Sequence, residues 1–157
     1  MTPRIAIVTG AGRGLGRTMA LGLLKHGLTV VAVDRDREPL SEVASLAGDD
    51  ASRLLTFAQD LTASAAAENV EQFVMQKHGR IDILVNNAGI RSRKAFEQFT
   101  HEDFDRVVAV NLRAPFFASQ AVIPIMRRQG GGVIVNMASQ LGIVASRFGA
   151  IYSLTKA

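Results

Sequence analysis

The chain has 157 residues, 48% of them apolar, which is enough for one domain with a real core and too few to suggest two. Its net charge of +4 comes from scattered basic residues, and the one tight group, Arg91, Arg93 and Lys94, has no interleaved aromatic platform, so it predicts a solvated loop and no nucleic-acid partner. The absence of Cys excludes disulfides and thiolate chemistry, and the three His residues are isolated, so no metal site is expected.

Five short runs rich in Val, Ile and Leu alternate along the chain with segments of helical apolar spacing. The runs cover residues 5–8, 29–33, 54–57, 81–85 and 133–137, and each predicts a strand buried on both faces. The helical segments cover residues 15–26, 40–47, 63–78 and 101–128. Because parallel strands need right-handed crossovers, this alternation predicts an α/β, Rossmann-like fold, a doubly wound parallel sheet in three layers.

Residues at the ends of these segments agree with the assignment. Gly27, Gly48 and Gly79 stand where helices are expected to stop. Thr100 and Asp103 have the spacing of a capping box, which predicts that the long helix begins there.

A glycine-rich stretch joins the first strand to the first helix. In that context, exposed backbone N–H groups and the positive end of the helix dipole can meet a pyrophosphate. The residues assigned to this dinucleotide-binding loop are Gly10, Arg13, Gly14, Leu15 and Gly16.

Asp34 ends the second strand about 20 residues beyond the loop, where an acid can accept hydrogen bonds from ribose hydroxyls. This carboxylate favours NAD over NADP because it would repel a ribose phosphate. NADP remains possible, since Arg13 and Arg35 lie close in sequence and offset part of that repulsion.

Three residues near the end of the chain can form a reacting group. Tyr152 and Lys156 are four residues apart, so a helix stacks them on one face, and a neighbouring ammonium stabilises a phenolate. Ser139 follows the fifth strand, at the carboxyl edge where such sheets bind ligands. Taken singly, a Tyr–Lys pair can be an ordinary helix face and a serine an ordinary loop cap.

Together these residues resemble the classical short-chain dehydrogenases and reductases. The family's TGxxxGxG loop is similar to Thr9, Gly10, Gly14 and Gly16, and its NNAG motif to Asn86, Asn87, Ala88 and Gly89. Its catalytic tetrad is similar to Asn111, Ser139, Tyr152 and Lys156. Asp60, with Leu61 beside it, resembles the acid that contacts the adenine ring.

The resemblance implies hydride transfer between NAD(P) and an alcohol or ketone, with Tyr152 as acid and base. Ser139 would orient the substrate oxygen, Lys156 would hold the nicotinamide ribose, and Asn111 would anchor a water in the proton path. Asn87, Ala88 and Gly89 would support the cofactor site through close backbone approach.

Family members continue beyond the YxxxK lysine, so residues 1–157 are interpreted as a dinucleotide-binding domain that lacks the last strands and is C-terminally truncated. The fragment itself is expected to be weakly active or inactive, with the fifth strand as an exposed apolar edge. The alternative is a noncatalytic nucleotide-binding or assembly module, because a helix cut at its second turn would hold Tyr152 and Lys156 poorly.

The expected setting is a soluble, cytoplasmic enzyme, because no signal core is present and no segment is judged long enough to span a membrane. The resemblance implies a homodimer or homotetramer at full length. The substrate stays open among sugars, acyl chains and steroid-like alcohols, and an NADPH-dependent 3-ketoacyl reductase is an alternative. Ile143, Val144 and Phe148 predict an apolar pocket wall.

Overall fold

One parallel sheet of five strands organises the protein. A computed structural model describes residues 3–144 and 146–157, and its strands lie in the order β3-β2-β1-β4-β5. They are β1 (Ile5–Thr9), β2 (Thr29–Asp34), β3 (Leu54–Ala58), β4 (Ile83–Asn86) and β5 (Val133–Asn136). All four neighbouring pairs are parallel, which confirms the predicted sheet.

Helices cover both faces of the sheet. They are α1 (Gly14–Lys25), α2 (Arg37–Leu46), α3 (Ala66–His78), α4 (His101–Val108), α5 (Ala114–Arg128) and α6 (Ala150–Leu154). Alternate residues of β1 and β2 feed two cores: Ile7 and Val33 pack with residues of α3 and α5, whereas Val8 and Ala32 pack with residues of α1 and α2. The predicted three-layer Rossmann-like architecture is therefore confirmed.

The prediction that all five strands are buried on both faces was wrong for two of them. β1 is buried throughout, but β3 is only half-buried and β5 is largely exposed, with Val133 47% and Val135 40% exposed. Both lie at sheet edges, where one side has no neighbouring strand.

The fourth strand begins two residues later than its apolar run. Ile81 is fully buried, but its backbone N–H and C=O bond to the side-chain amide of Gln129 instead of to a strand. The apolar run therefore predicts correctly that Ile81 is buried, but it predicts the start of strand β4 two residues too early.

The predicted helix ends are confirmed. α3 ends at Gly79, which adopts a left-handed conformation with φ of 68°. α4 begins with the predicted capping box, in which the Thr100 hydroxyl accepts from the backbone N–H of Asp103 and the Asp103 carboxylate accepts from that of Thr100.

The long helix is not uniform, because a π-helical turn, Ala109–Arg113, separates α4 from α5. Across His101–Arg128 the helical segment has 28 residues and a mean hydropathy of 1.3 in its most apolar window, so by length and composition it could span a membrane. The prediction that no segment reaches that length was wrong. In the structure, Val122 and Ile125 of this segment pack in the core, whereas Leu112 and Phe116 are exposed.

Candidate active site

The glycine loop leaves no space for side chains where the chain turns from β1 into α1. Gly10 and Gly14 have φ values of 63° and 53°, which side chains rarely tolerate. A Cβ on Gly16 would lie 2.0 Å from the backbone oxygen of Gly10. The first turn of α1 therefore presses directly on the loop at Gly10 and Gly16.

Thr9 and Asn87 fasten this loop to the end of β4. The Thr9 hydroxyl accepts from the backbone N–H groups of Asn87 and Ala88, both at 3.1 Å. In return, the side-chain amide of Asn87 donates to the backbone oxygens of Thr9 and Gly10, at 3.0 and 3.1 Å. Asn87 and Ala88 thus fix the position of the loop, and the close backbone approach to a cofactor expected of them stays a prediction. Thr9 is a support that the prediction left out.

Asp34 holds the other side of the loop. Its carboxylate accepts from the backbone N–H of Gly12 at 2.8 Å. Arg17 of α1 completes this contact, because its guanidinium donates to the Gly12 oxygen at 2.6 and 2.9 Å and pairs with Glu42. Arg17 was also missed, since a lone arginine in a helix carries no sequence signal for this contact.

A cavity of about 750 Å³ opens beside Asp34, above the carboxyl ends of β2 and β1. Its wall contains ten of the predicted cofactor residues: Gly10, Arg13, Leu15, Gly16, Asp34, Asp60, Leu61, Asn87, Ala88 and Gly89. Gly14 opens α1 but does not line the cavity.

Two arginines in the wall of this cavity are arranged around Asp36, a residue that was not predicted from the sequence. Arg13 and Arg35 both pair with Asp36, at 3.4 and 3.2 Å. The side-chain hydrogen bond with Asp36 also raises the pKa of Arg35 above its usual value. Both guanidiniums predicted to offset Asp34 are therefore already engaged by another carboxylate.

Asp60 lies in the same wall and is held as a carboxylate. The backbone N–H and the hydroxyl of Thr62 donate to it at 2.9 and 2.7 Å. These two hydrogen bonds lower the pKa of Asp60 below its usual value. Asp34, Asp36 and Asp60 together outnumber the two arginines at this end of the cavity.

Ser139, Tyr152 and Lys156 come together in a second cavity, of about 380 Å³. The Lys156 ammonium lies 6.0 Å from the centre of the Tyr152 ring and donates to the backbone oxygen of Met137 at 2.5 Å. Burial lowers the pKa of Lys156 below its usual value. The Ser139 hydroxyl accepts from the backbone N–H of Leu141, so it caps its loop and keeps its own proton free to donate.

Asn111 stands behind this cavity, in the π-helical turn. It is buried, and its amide group donates to the backbone oxygen of Ile90 at 3.0 Å and to the Thr155 hydroxyl at 3.1 Å, while its oxygen accepts from the backbone N–H of Ile90. Asn111 therefore ties the segment after β4 to the end of α6. Both protons of the side-chain amide are used. Any bound water would therefore have to donate to an oxygen of Asn111, either that of the side chain or that of the backbone.

These contacts hold the short helix α6 in place. Thr155 is fixed by Asn111 and Lys156 by Met137, and a Cβ on Gly142 would lie 1.9 Å from the backbone oxygen of Lys156. From sequence, a helix of this length is expected to hold Tyr152 and Lys156 poorly. That expectation considered the helix alone and left out these contacts with the rest of the protein.

The two cavities form one groove across the carboxyl edge of the sheet. Four residues belong to both walls: Leu15, Asn87, Gly89 and Ile90. Leu15 is 68% exposed and lies where the cavities meet. The groove thus runs from the Asp34 carboxylate to the Tyr152 phenol. Dinucleotide-binding folds of this topology bind their ligand in the same place, along the carboxyl ends of the strands.

Comparison with known proteins agrees with this arrangement. A sequence model of the short chain dehydrogenase family matches residues 4–157, and the chain belongs to that family. It is 34% identical over 154 residues to a 3-oxoacyl-[acyl-carrier-protein] reductase of Thermotoga maritima, covering 98% of this chain and 63% of the relative. It is 39% identical over 145 residues to a levodione reductase of Leifsonia aquatica, covering 90% of this chain and 54% of the relative.

Among solved structures, a metagenomic short-chain oxidoreductase in complex with NADP superposes with a TM-score of 0.92 at 34% identity, covering 98% of this chain and 70% of that one. The chain spans about three fifths of the length of the two reductases, from Thermotoga maritima and Leifsonia aquatica, that it matches in sequence.

Proposed function

We propose that this protein is an NAD(P)-dependent oxidoreductase that interconverts an alcohol and a ketone. The observation that supports this most strongly is the continuous groove that leads from Asp34 over the glycine loop to Ser139, Tyr152 and Lys156. Glycine at positions 10 and 16 lets the loop close tightly on Ala88 and on the start of α1, so that backbone N–H groups of the loop can face a pyrophosphate.

The chain's own residues would bind, orient and protonate the substrate. A nicotinamide dinucleotide bound in the groove supplies or accepts the hydride. Tyr152 would give its phenolic proton to the carbonyl oxygen during reduction and take it back during oxidation. Ser139 would donate a hydrogen bond to the same oxygen, and Lys156 would hold the ribose next to the reacting ring. Asn111 would keep the segment at Ile90 and helix α6 in register and anchor a water through an oxygen.

NAD is the cofactor we propose, with NADP as the less favoured choice. Asp34 accepts the backbone N–H of Gly12 at 2.8 Å through one oxygen and that of Asp36 at 3.4 Å through the other, and it still faces the cavity. Since Arg13 and Arg35 pair with Asp36, neither is free to bind a ribose phosphate without giving up an ion pair.

A 3-ketoacyl reductase is the second candidate, favoured by the 34% identity to the Thermotoga maritima reductase. That relative's name indicates a ketone substrate, as does the name of the levodione reductase. Ile143 and Val144 follow Leu141 of the groove wall in sequence and are 91% and 65% exposed, so both side chains are accessible to an apolar acyl chain.

We also propose a soluble, cytoplasmic enzyme in which residues 1–157 form the dinucleotide-binding domain. Leu112 and Phe116, at 55% and 63% exposed, lie on one side of the π-helical turn and α5 and would pack against a second copy in a homodimer or homotetramer. In this proposal the apolar character of 101–128 serves the core and that contact.

Calorimetric titration with NADH and NADPH, followed by NADH-dependent assays on a panel of ketones, tests the proposal on protein expressed from the complete reading frame. Tyr152→Phe is expected to lower kcat by about 100-fold or more while changing NADH affinity much less. Ser153→Ala is the matched control, because its hydroxyl has no hydrogen-bond partner in the described structure. Tight NADH binding without turnover of any ketone would support the noncatalytic module instead.

A further inference from the structure

We propose that Arg91 makes the reacting cavity selective for substrates that carry a carboxylate, so that the natural reactants are a short oxo acid and the matching hydroxy acid. The proposal rests on the proposed oxidoreductase function and assigns its substrate class. From sequence, Arg91 is interpreted as part of a solvated basic loop. The structure confirms that it is exposed in a loop and shows that it also borders the reacting cavity.

Arg91 lies in the wall of the cavity that holds Ser139 and Tyr152. The central carbon of its guanidinium is 5.8 Å from the centre of the Tyr152 ring. The group donates to the Ser146 hydroxyl at 3.0 Å, and a Cβ on Gly149 would come within 3.0 Å of it. A side chain at position 149 would therefore push the guanidinium from this place beside the phenol.

The backbone on both sides of Arg91 is fixed. Ile90 accepts and donates one hydrogen bond each with the buried side chain of Asn111. Ser92 is buried and donates to the carboxylate of Asp103. Because its neighbours are anchored, the backbone that carries Arg91 is already ordered, which lowers part of the entropic cost of binding a ligand.

The charge in this cavity is positive and unbalanced. Among the residues that the structure describes, Arg91 and Lys156 are the charged members of its wall and no acid belongs to it. Within residues 3–144 and 146–157, Arg91 takes part in no ion pair, in contrast to Arg13, Arg17 and Arg35 of the same groove region. Lys156 is committed to Met137, so Arg91 is the cation left for a substrate.

A guanidinium recognises a carboxylate by two parallel hydrogen bonds, which fixes the orientation of the whole substrate. With the acid group on Arg91, a carbonyl a few bonds away would reach Ser139 and Tyr152 inside a cavity of about 380 Å³. Reduction adds hydride from NADH to the carbonyl carbon and the Tyr152 proton to its oxygen, and NAD⁺ and a hydroxy acid leave. The carboxylate itself is unchanged.

Matched pairs of acids and neutral esters test this assignment. Acetoacetate and levulinate are compared with their methyl esters, and kcat/KM is measured with NADH for the wild type, Arg91→Gln, Arg91→Lys and Arg93→Gln. The acid-to-ester ratio is expected to fall about 10- to 100-fold in Arg91→Gln, mainly through KM, and to recover partly in Arg91→Lys. Arg93 is exposed, lies outside the cavity wall and has no ion pair in the described structure, so Arg93→Gln should keep the wild-type ratio.

The outcomes separate this proposal from the oxidoreductase function. Equal use of acids and esters, or an equal loss of both in Arg91→Gln, overturns the role of Arg91 and leaves the enzyme activity standing. A preference for dihydroxyacetone phosphate over dihydroxyacetone, without one for the acids, would also overturn it by identifying the anion as a phosphate. If no carbonyl compound is turned over, levulinate is titrated into the NAD⁺-bound wild type and Arg91→Gln. Absence of binding, or equal binding by both proteins, overturns the role of Arg91.

Discussion

The two ends of the groove are built in different ways. At the nucleotide end, Val31 and Val33 of β2 are fully buried, and the glycine loop is closed from three sides by Thr9, Asn87 and Asp34. At the reacting end, β5 is largely exposed, and Tyr152 and Lys156 depend on a few hydrogen bonds through Asn111 and Met137. The nucleotide end is therefore held by close packing of backbone and buried side chains, whereas the reacting end is held by individual polar contacts.

This difference predicts how each region responds to mutation. A change within the packed glycine loop should damage folding and cofactor binding together, because the loop is part of the core. A change in a side chain that faces the groove should alter specificity, cofactor choice or rate with a smaller loss of stability, whereas loss of the buried Asn111 anchor should lower both stability and rate.

The largest expected effect is that of Gly16→Ala. Its Cβ would lie 2.0 Å from the Gly10 oxygen, so we expect loss of measurable NADH binding by calorimetry and a destabilisation of about 2–4 kcal/mol in urea unfolding. Gly22→Ala in the same helix meets nothing within 4 Å and should raise stability by about 0.5–1 kcal/mol. Normal NADH affinity in Gly16→Ala would show that the loop is not closely packed.

Asn111→Ala should come second. It removes three hydrogen bonds and leaves their partners at half-buried Ile90 and buried Thr155 unmatched, which costs about 2–3 kcal/mol in urea unfolding and lowers kcat. Asn69→Ala, which removes one exposed bond to Gln59, should change stability by less than about 0.5 kcal/mol. Equal effects of the two substitutions would contradict the view that Asn111 anchors the reacting end.

Asp36→Asn should change cofactor choice without weakening the fold. It releases Arg13 and Arg35 from their ion pairs, so the affinity for NADPH relative to NADH should rise about fivefold in calorimetric titrations. Asp49→Asn, an exposed acid outside the groove wall, is the control and should leave the ratio unchanged. An unchanged ratio in Asp36→Asn would mean that these arginines do not face the ribose.

The smallest effect, confined to acid, concerns Asp103. The Lys94 ammonium and the Thr100 backbone lower the pKa of Asp103 to about 2, from an ordinary value of 3.8. Its contribution to stability is therefore complete above about pH 4 and disappears as the pH falls through 2. In Asp103→Asn, the free energy of unfolding should fall less steeply between pH 4 and 2, as measured by urea titration at each pH. Glu102→Gln, exposed in the same turn, should keep the wild-type slope.

Most of the fold could be predicted because buried parallel strands and crossover helices leave clear apolar patterns. The burial of β3 and β5 could not, since it depends on which strands lie next to them and the runs at 54–57 and 133–137 look like the others. The π-helical turn at Asn111 was also hidden, because its apolar spacing continues that of the flanking helices.

The candidate site was predictable where residues stand in motifs and hidden where they act alone. Ser139, Tyr152 and Lys156 were placed together from their spacing, and the structure brings all three to one cavity. Asp36 and Arg91 were missed as site residues. The role of Asp36 depends on β2 lying beside β1, which brings Arg13 to it, and that of Arg91 on the segment after β4 lying beside α6. The alternation of acids and arginines in 34–37 was the available signal for Asp36.

A nicotinamide ring bound in the groove is expected to lie against Tyr152, and fluorescence of the 157-residue chain can test this. Within these residues Tyr152 is the single tyrosine and there is no tryptophan, so the intrinsic fluorescence of this chain reports that residue. Titration with NAD⁺ is predicted to quench the emission with the same Kd that calorimetry gives, whereas ADP-ribose, which lacks the nicotinamide, should bind and quench much less. Equal quenching by both ligands, or NAD⁺ binding that leaves the emission unchanged, would contradict the account.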